Sequence, residues 1–262
     1  QYALVRADVS ASRQRLSGDS MTRRSLLFLS NRLPYPPHIG AALRTYNIIR
    51  LLARDFDLHV LCFDPVDKAT GRMPLAMRMR AMEEFGTFEV FPIPQQESRA
   101  RFVADHARSV IHRVPYTYYM HDSAPFGRRL RTLLAERRFS LAHVDSLDLI
   151  RFLPLLGGIP VVCTHHNVES WLMRRRAESE SSAFKRGYLA HQAALLEQAE
   201  RDWVPRVALN VAVSDADRDA LQALAPAGRI VTVPNGVDTD FFTPAPAANA
   251  AGCVFVGGTK WY

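Results

Sequence analysis

The chain has 262 residues, 48% of them hydrophobic, a formal net charge of +7 and a pI near 9.7. That length holds one large domain, or one domain plus part of another. No apolar run approaches the roughly 20 residues that span a bilayer, and the first twenty residues, with Arg6, Arg13 and Arg15 and no apolar core, do not read as a secretory signal. The basic excess suits a phosphate-bearing partner (a nucleic acid, an anionic membrane face or a phosphorylated substrate) and equally a solvated arginine-rich surface.

Met21, followed by Thr22 and two arginines, reads as a natural start, so residues 1–22 are expected to be an upstream extension or a disordered tail. Residues 25–30, SLLFLS, read as a strand buried on both faces. Pro34, Pro36 and Pro37 force residues 31–40 to be loop. The spacing of Leu43, Ile48, Leu51 and Leu52 predicts a helix over 41–54. Gly40 stands at its start, where backbone N–H groups suit a phosphate. It is equally the glycine of a simple turn, because neither Gly-x-Gly-x-x-Gly nor a Walker loop surrounds it. Arg44, one turn on, is a phosphate-binding guanidinium or a surface arginine.

A second strand is predicted at 58–63, a helix at 73–85 and a third strand at 88–91 closed by Pro92 and Pro94. A basic helix at 97–113, an aromatic loop at 115–120 and a second basic helix at 126–138 follow. Next come a strand at 141–144, a helix at 148–156 ended by Gly157 and Gly158, and a strand at 160–164. Residues 168–203 read as one long helix, with Gly187 as the expected break. A strand at 209–213 leads to Ser214, an N-cap with Asp217 completing an approximate capping box. That helix reaches 224, and a last strand spans 229–233.

Strands alternating with helices imply right-handed crossovers and an α/β fold, a doubly wound, mostly parallel, Rossmann-like sheet. This domain is expected over 23–240, with a Pro- and Ala-rich linker over 241–251. Residues 252–262 are expected to be the first strand of a truncated further domain, since one strand is not stable alone. Cys62, Cys163 and Cys253 have no metal spacing and read as buried thiols in a reducing compartment, which points to the cytoplasm.

Three places can carry chemistry. In an open α/β sheet, ligands sit at the carboxyl ends of strands. The strand at 160–164 delivers His165, His166, Asn167 and Glu169 there, and histidine trades protons near neutral pH. Adjacent histidines point in different directions, so a metal site is not expected; the pair is functional at the crevice, or structural at a strand end. The second place is the proline-rich loop with Gly40 and Arg44. The third is the Asn-Gly turn at Asn235 and Gly236, with Phe241 and Phe242 behind it.

In this order the motifs carry a resemblance. Val233-Pro234-Asn235-Gly236-Val237-Asp238, followed by Phe241-Phe242, resembles the interdomain signature of family-4 glycosyltransferases with the GT-B fold. Asn210-Val211-Ala212-Val213 followed by Ser214-Asp215-Ala216-Asp217 is similar to that family's strand-to-helix step. The loop from Pro34 to Gly40, the segment His166-Asn167-Val168-Glu169, and Val254-Phe255-Val256-Gly257-Gly258 resemble its other landmarks, so the likeness covers about residues 23–262.

The resemblance implies two Rossmann-like domains facing across a cleft, the first binding the acceptor and the second a nucleotide-diphosphate sugar. It implies retention of anomeric configuration and no metal or other cofactor. By the match, Gly40 lies near the donor pyrophosphate, His166 near the reacting sugar and acceptor as the catalytic residue, and Gly257 and Gly258 near the donor phosphates. His165, Asn167, Glu169, Arg44 and Asn235 complete the expected substrate contacts. The sequence stops before the family's basic pair and paired-glutamate motif, so transfer by this stretch alone is not expected. The expected acceptor is an envelope glycan or a lipid-linked sugar, with an anionic inner membrane face as a further contact, since basic helices flank an aromatic loop. The alternative is a non-catalytic Rossmann-like module binding an acidic ligand or membrane surface. A nicotinamide oxidoreductase is disfavoured by the missing glycine fingerprint, and nucleic-acid binding has only the charge behind it.

Overall fold

Leu26, Leu27, Phe28 and Leu29 are all fully buried, and alternate ones enter different cores. Period-two alternation sends successive side chains to opposite faces, so the run is continuously apolar because helices cover both faces of its sheet. The computed structural model describes residues 23–65 and 73–243. The strands and helices run in chain order β1 (Arg24–Ser30), α1 (Gly40–Leu52), β2 (Phe56–Asp64), α2 (Leu75–Arg80), β3 (Thr87–Pro92), α3 (Arg99–His112), α4 (Tyr116–Met120), α5 (Ala124–Glu136), β4 (Leu141–Asp145), β5 (Val161–His165), α6 (Glu169–Ser179), α7 (Ala183–Trp203), β6 (Leu209–Ala212), α8 (Asp215–Leu224) and β7 (Ile230–Thr232).

The seven strands are all parallel and lie in the order β3-β2-β1-β4-β5-β6-β7. On one face Leu27, Leu29, Leu61 and Phe63 pack with Phe126, Leu130 and Leu133 of α5 and Leu221 of α8; Phe63 stacks on Phe126 at 4.6 Å. On the other, Leu26, Phe28, Val60 and Cys62 pack with Ile49 of α1 and Met79 and Met82 around α2. Cys62 and Cys163 are buried free thiols. Beneath the apolar core, Arg129 of α5 forks onto the buried Glu89 of β3, which also meets His59 of β2 at 2.9 Å. No helix among the described residues is long and apolar enough to cross a membrane.

The doubly wound sheet expected from the alternation is present, and several local readings need correction. The helix expected over 73–85 is α2 plus a 3-10 turn at Glu83–Phe85, because Pro74 sets its start and Gly86 ends it. The expected aromatic loop forms α4, with Pro115 ahead of its first turn and Tyr119 buried. The stretch expected as a helix over 148–156 is a 3-10 run, Leu147–Leu156; Pro154 within it has no N–H to give an α-helical ladder. The long helix breaks at residues 180–182, where Ser182 caps α7 by accepting from the Lys185 N–H, and not at Gly187, which lies inside α7. Residues 1–22, most of the linker at 241–251, and the expected strand at 252–262 with Cys253 lie outside the described residues.

Two glycines test these assignments. A Cβ on Gly86 would stand 2.6 Å from the Leu58 carbonyl oxygen, a close approach only glycine allows. Gly86→Ala should therefore cost about 2 kcal/mol, read as a lower urea midpoint. Gly187 is exposed, and a Cβ added to it would meet nothing within 4 Å. Gly187→Ala should raise stability by about 0.5–1 kcal/mol, as expected inside a helix and not at a helix break.

Candidate functional site

Strand order reverses between β1 and β4, since the chain builds outward to β3 on one side and to β7 on the other. The connections leaving those two neighbouring strands diverge at their carboxyl ends and leave a crevice there. Asp145 is the last residue of β4, and its side chain is 1% exposed. Thr45 of α1 donates to its Oδ2 at 2.6 Å, and Nε2 of His166, just beyond β5, lies 3.1 Å from its Oδ1. One carboxylate therefore ties together β4, α1 and the turn after β5.

Burial alone would raise the Asp145 pKa, but the hydrogen bond and positive field of His166, helped by His143 and Thr45, outweigh it and hold the carboxyl below its ordinary range. For His166, burial opposes the charge, and the Asp145 carboxylate more than offsets it, so the imidazole is raised above its usual value. Each partner thus favours the charged form of the other. His143, two residues back on β4, is a different histidine: buried against Phe28 at 4.5 Å and bonded to Thr164 Oγ1 at 3.0 Å, it is pushed down to about 4 by burial.

Ser146 follows Asp145 with φ 135° and ψ 144°. A non-glycine residue there costs about 1–3 kcal/mol. The strained step turns the chain from β4 into the 3-10 run, and the Ser146 hydroxyl accepts from the Asp148 N–H at 3.0 Å. Asp148 in turn accepts from Asn31, in the loop after β1, at 3.0 Å. Across from it, Glu169 opens α6; burial, with the Asp148 charge adding, pushes its carboxyl up to about 7. Asn167 reaches Glu169 at 3.4 Å. Asn31, Arg32, Tyr116, His121, Asp148 and Glu169 line a cavity of about 320 Å³. Burial depresses the pKa of His121, whose Nδ1 has no hydrogen-bond partner among the described residues.

His165 does not reach this crevice. It is 3% exposed, and its Nε2 lies 2.9 Å from Asn210 Oδ1. The Asn210 amide donates to the Val204 carbonyl at 2.8 Å, so Oδ1 accepts and His165 carries its proton on Nε2. Burial pushes His165 down to about 4 and keeps it neutral, a brace between β5 and β6.

Gly40 and Arg44 share α1. No side chain caps that helix, and a Cβ on Gly40 would meet nothing within 4 Å. Arg44 binds another predicted site residue: Nη1 donates to Asn235 Oδ1 at 2.7 Å and Nη2 to the Val233 carbonyl at 2.8 Å. Its charge also reaches Asp145 and His166. Gly257 and Gly258 lie outside the described residues. Among the described residues, no three His, Cys, Asp or Glu side chains converge as a metal site would require.

Asp145, Thr45, Asp148, Asn31 and His121 were not singled out in the sequence. The strand-end rule applied to residues 141–144 would have reached Asp145; the others carry no local signal and meet only through the fold.

The pair makes a definite pH prediction. The His166 contribution to stability is fully present below the unfolded value of 6.5 and lost as pH rises through its higher folded value; that of Asp145 is present above 3.8 and lost as pH falls through its lower folded value. Histidine NMR titration should place His166 above 6.5, and Asp145→Asn should bring it below; an unmoved titration would break the assignment. Glu169, with a folded value of about 7 against 4.5, loses its contribution as pH rises through 7. In Glu169→Gln the loss of stability between about pH 5 and pH 8 should be smaller than in the parent, read from urea midpoints.

No curated protein sequence matches the chain. Among solved structures it is similar to UGT71G1 of Medicago truncatula complexed with UDP-glucose, at 15% identity over 85% of this chain and 54% of that one, with a TM-score of 0.46. It is also similar to the N-terminal domain of trehalose-6-phosphate phosphatase of Candida albicans, at 12% identity over 86% and 51%, TM-score 0.46. A third is a sucrose-phosphate synthase of Thermosynechococcus elongatus, at 11% identity over 82% and 91%, TM-score 0.42. The chain thus spans about half the length of the first two. The sequence profile of Glycosyltransferase Family 4 matches residues 39–241, which take in α1, the His166–Asp145 pair and Asn235, and the chain belongs to that family.

Proposed function

We propose that this chain is the acceptor-side half of a GT-B enzyme that moves a sugar from a nucleotide-diphosphate donor to an envelope glycan or lipid-linked acceptor, with retention. The observation that carries the reading is the carboxylate-anchored His166, held at the strand-order reversal beside a polar cavity. In transfer, the C1–O bond to the diphosphate breaks, the acceptor hydroxyl oxygen bonds to C1, and the acceptor's proton passes to the departing diphosphate oxygen. Negative charge grows on the leaving diphosphate, where preorganised cations and helix N-termini are most effective. His166, whose charged form the Asp145 carboxylate favours, and the uncapped N-terminus of α1 would supply such groups. Asn31, Asp148, Asn167 and Glu169 offer donors and acceptors for sugar hydroxyls, and Glu169, half protonated near pH 7, serves as either.

Arg44 and Asn235 have a second task in this reading. Together with the Arg50–Asp238 ion pair at 3.3 Å, they fasten the segment after β7 to α1. A donor-side domain entering through that segment would be aimed across the crevice from His166. The place of action is the cytoplasmic side of a membrane, supported by the two buried thiols and the basic surface. A module that merely bound an acidic ligand would leave the anchored histidine without a task.

The test is nucleotide-sugar turnover by the full-length enzyme. His166→Ala should lower kcat about 100-fold, measured below the variant's melting temperature, which should itself fall because the buried Asp145 loses a partner. An unchanged rate would remove His166 from the reaction.

A further inference from the structure

Helix α3 is seated in the protein by its polar side. Asp105 and Ser109 are fully buried; Arg101 pairs with Asp105 inside the helix at 3.1 Å and donates to the Asp122 carbonyl beyond it at 3.2 Å, and Ser109 both accepts from Gln192 of α7 at 2.8 Å and donates to the Val114 carbonyl at 2.6 Å. The opposite side is apolar and faces outward. Val103, Ala107 and Val110 recur at four- and three-residue spacing, the period of one helical face. Val103 is 65% exposed and Ile111 73%, with Phe102 and Val110 also exposed.

Helix α7 extends this surface. His106 meets the Tyr188 hydroxyl, and three residues on Ser109 meets Gln192, so α3 and α7 run parallel here. Phe102 and Phe184 each stand one turn before the His106–Tyr188 contact and therefore at the same end of the pair. Phe184 is 86% exposed.

The charges around this surface are mostly of one sign. On α3 the exposed ones are Arg99, Arg108 and His112, with Arg113 at the cap; Asp105, its one carboxylate, is buried. Lys185 follows Phe184 on α7. Glu97, just ahead of the α3 cap, and Glu180, just ahead of the α7 cap, are the nearby exceptions in the sequence. Arg108 is engaged with Asp105 and Asp122 at 3.5 and 3.9 Å and lies over the Tyr119 ring. Arg99, Arg113 and Lys185 form no ion pair among the described residues. An apolar face bordered by arginine and lysine is the composition that enters the headgroup region of an anionic bilayer.

We infer that α3, with the start of α7, is a membrane-docking face whose partner is an anionic lipid surface: Phe102, Val103, Val110, Ile111 and Phe184 enter the interface while Arg99, Arg113 and Lys185 meet the headgroups. The placement has a consequence for the crevice. The 3-10 turn Pro94–Glu97 and α4 pack on α3, and Gln96, Tyr116, Thr117 and Met120 from those two elements line the cavity. Docking brings the cavity to within about a helix diameter of the lipid surface, where a lipid-borne acceptor would present its head. That acceptor rests on the sugar-transfer reading above; the docking of α3 does not.

Vesicle flotation of the full chain tests it without any assay of transfer. Phosphatidylcholine vesicles containing phosphatidylglycerol should carry the protein upward, pure phosphatidylcholine vesicles should carry little, and added salt should weaken the anionic binding. The double substitution Val103→Asp with Ile111→Asp should reduce partition at least about tenfold at an unchanged circular dichroism spectrum. The charge reversal Arg99→Glu with Arg113→Glu, at positions that bury nothing, should reduce it as well and flatten the salt dependence. A parent protein that stays down with anionic vesicles overturns the proposal, as do variants that float like the parent. So does a dimer in sedimentation that Val103→Asp with Ile111→Asp abolishes while vesicle binding is absent, since it would give the face to a protein partner.

Discussion

The buried carboxylate of Asp145 is the constraint around which the working end of this domain is assembled. A charge so enclosed is tolerable only when it is fully bonded. Here the bonds come from Thr45 on α1 and His166 beyond β5, two elements brought to either side of β4 by the reversal of strand order. Removing either partner would leave the charge exposed to an apolar interior, so the carboxylate fixes where α1 and the β5 turn must sit. The strained Ser146 beside it sends the next carboxylate, Asp148, toward the cavity instead of along the strand.

Helix α1 passes that constraint outward. Its inner face packs on the sheet through Ile49 and bonds Asp145 through Thr45, while Arg44 and Arg50 hold the segment from Val233 to Asp238. The same helix therefore presents an uncapped N-terminus to the crevice, supports the catalytic candidate through Asp145, and grips the chain where it leaves the last strand. Burial makes Arg44 the more consequential grip: its guanidinium is partly desolvated and makes two short bonds, whereas the Arg50–Asp238 pair is solvent-exposed and contributes little to stability.

On the outer side, α3 shows a helix with its usual polarity reversed. Hydrogen bonds from Gln192 to Ser109 and from Arg101 to the Asp122 carbonyl attach it, so its apolar residues are not consumed by folding. Hydrophobic burial is non-directional and would ordinarily turn Val103 and Ile111 inward; the Ser109–Gln192 contact and the bond from Arg101 to the Asp122 carbonyl hold the helix in the other rotation.

Much of this was legible in the residues. Continuous apolar runs flanked by helical periodicity specified a parallel, doubly wound sheet, because only a sheet covered on both faces needs strands without alternation. The position of His166 just past such a run placed it at the crevice by the strand-end rule alone, whereas Asn235 and Gly236, expected as a turn, lie in a stretch without one. Local chemistry was misread where neighbours in space decide: Gly187 is a helix breaker by propensity, yet the break came at residues 180–182, where Ser182 caps α7 and where α6 can fold back on α7. The division of labour between the two adjacent histidines was invisible in sequence. His165 is committed to Asn210 and His166 to Asp145, partners 45 and 21 residues away. Period and composition report what a residue's own element is; which carboxylate lies beside which imidazole depends on the strand order, and tertiary packing alone sets that.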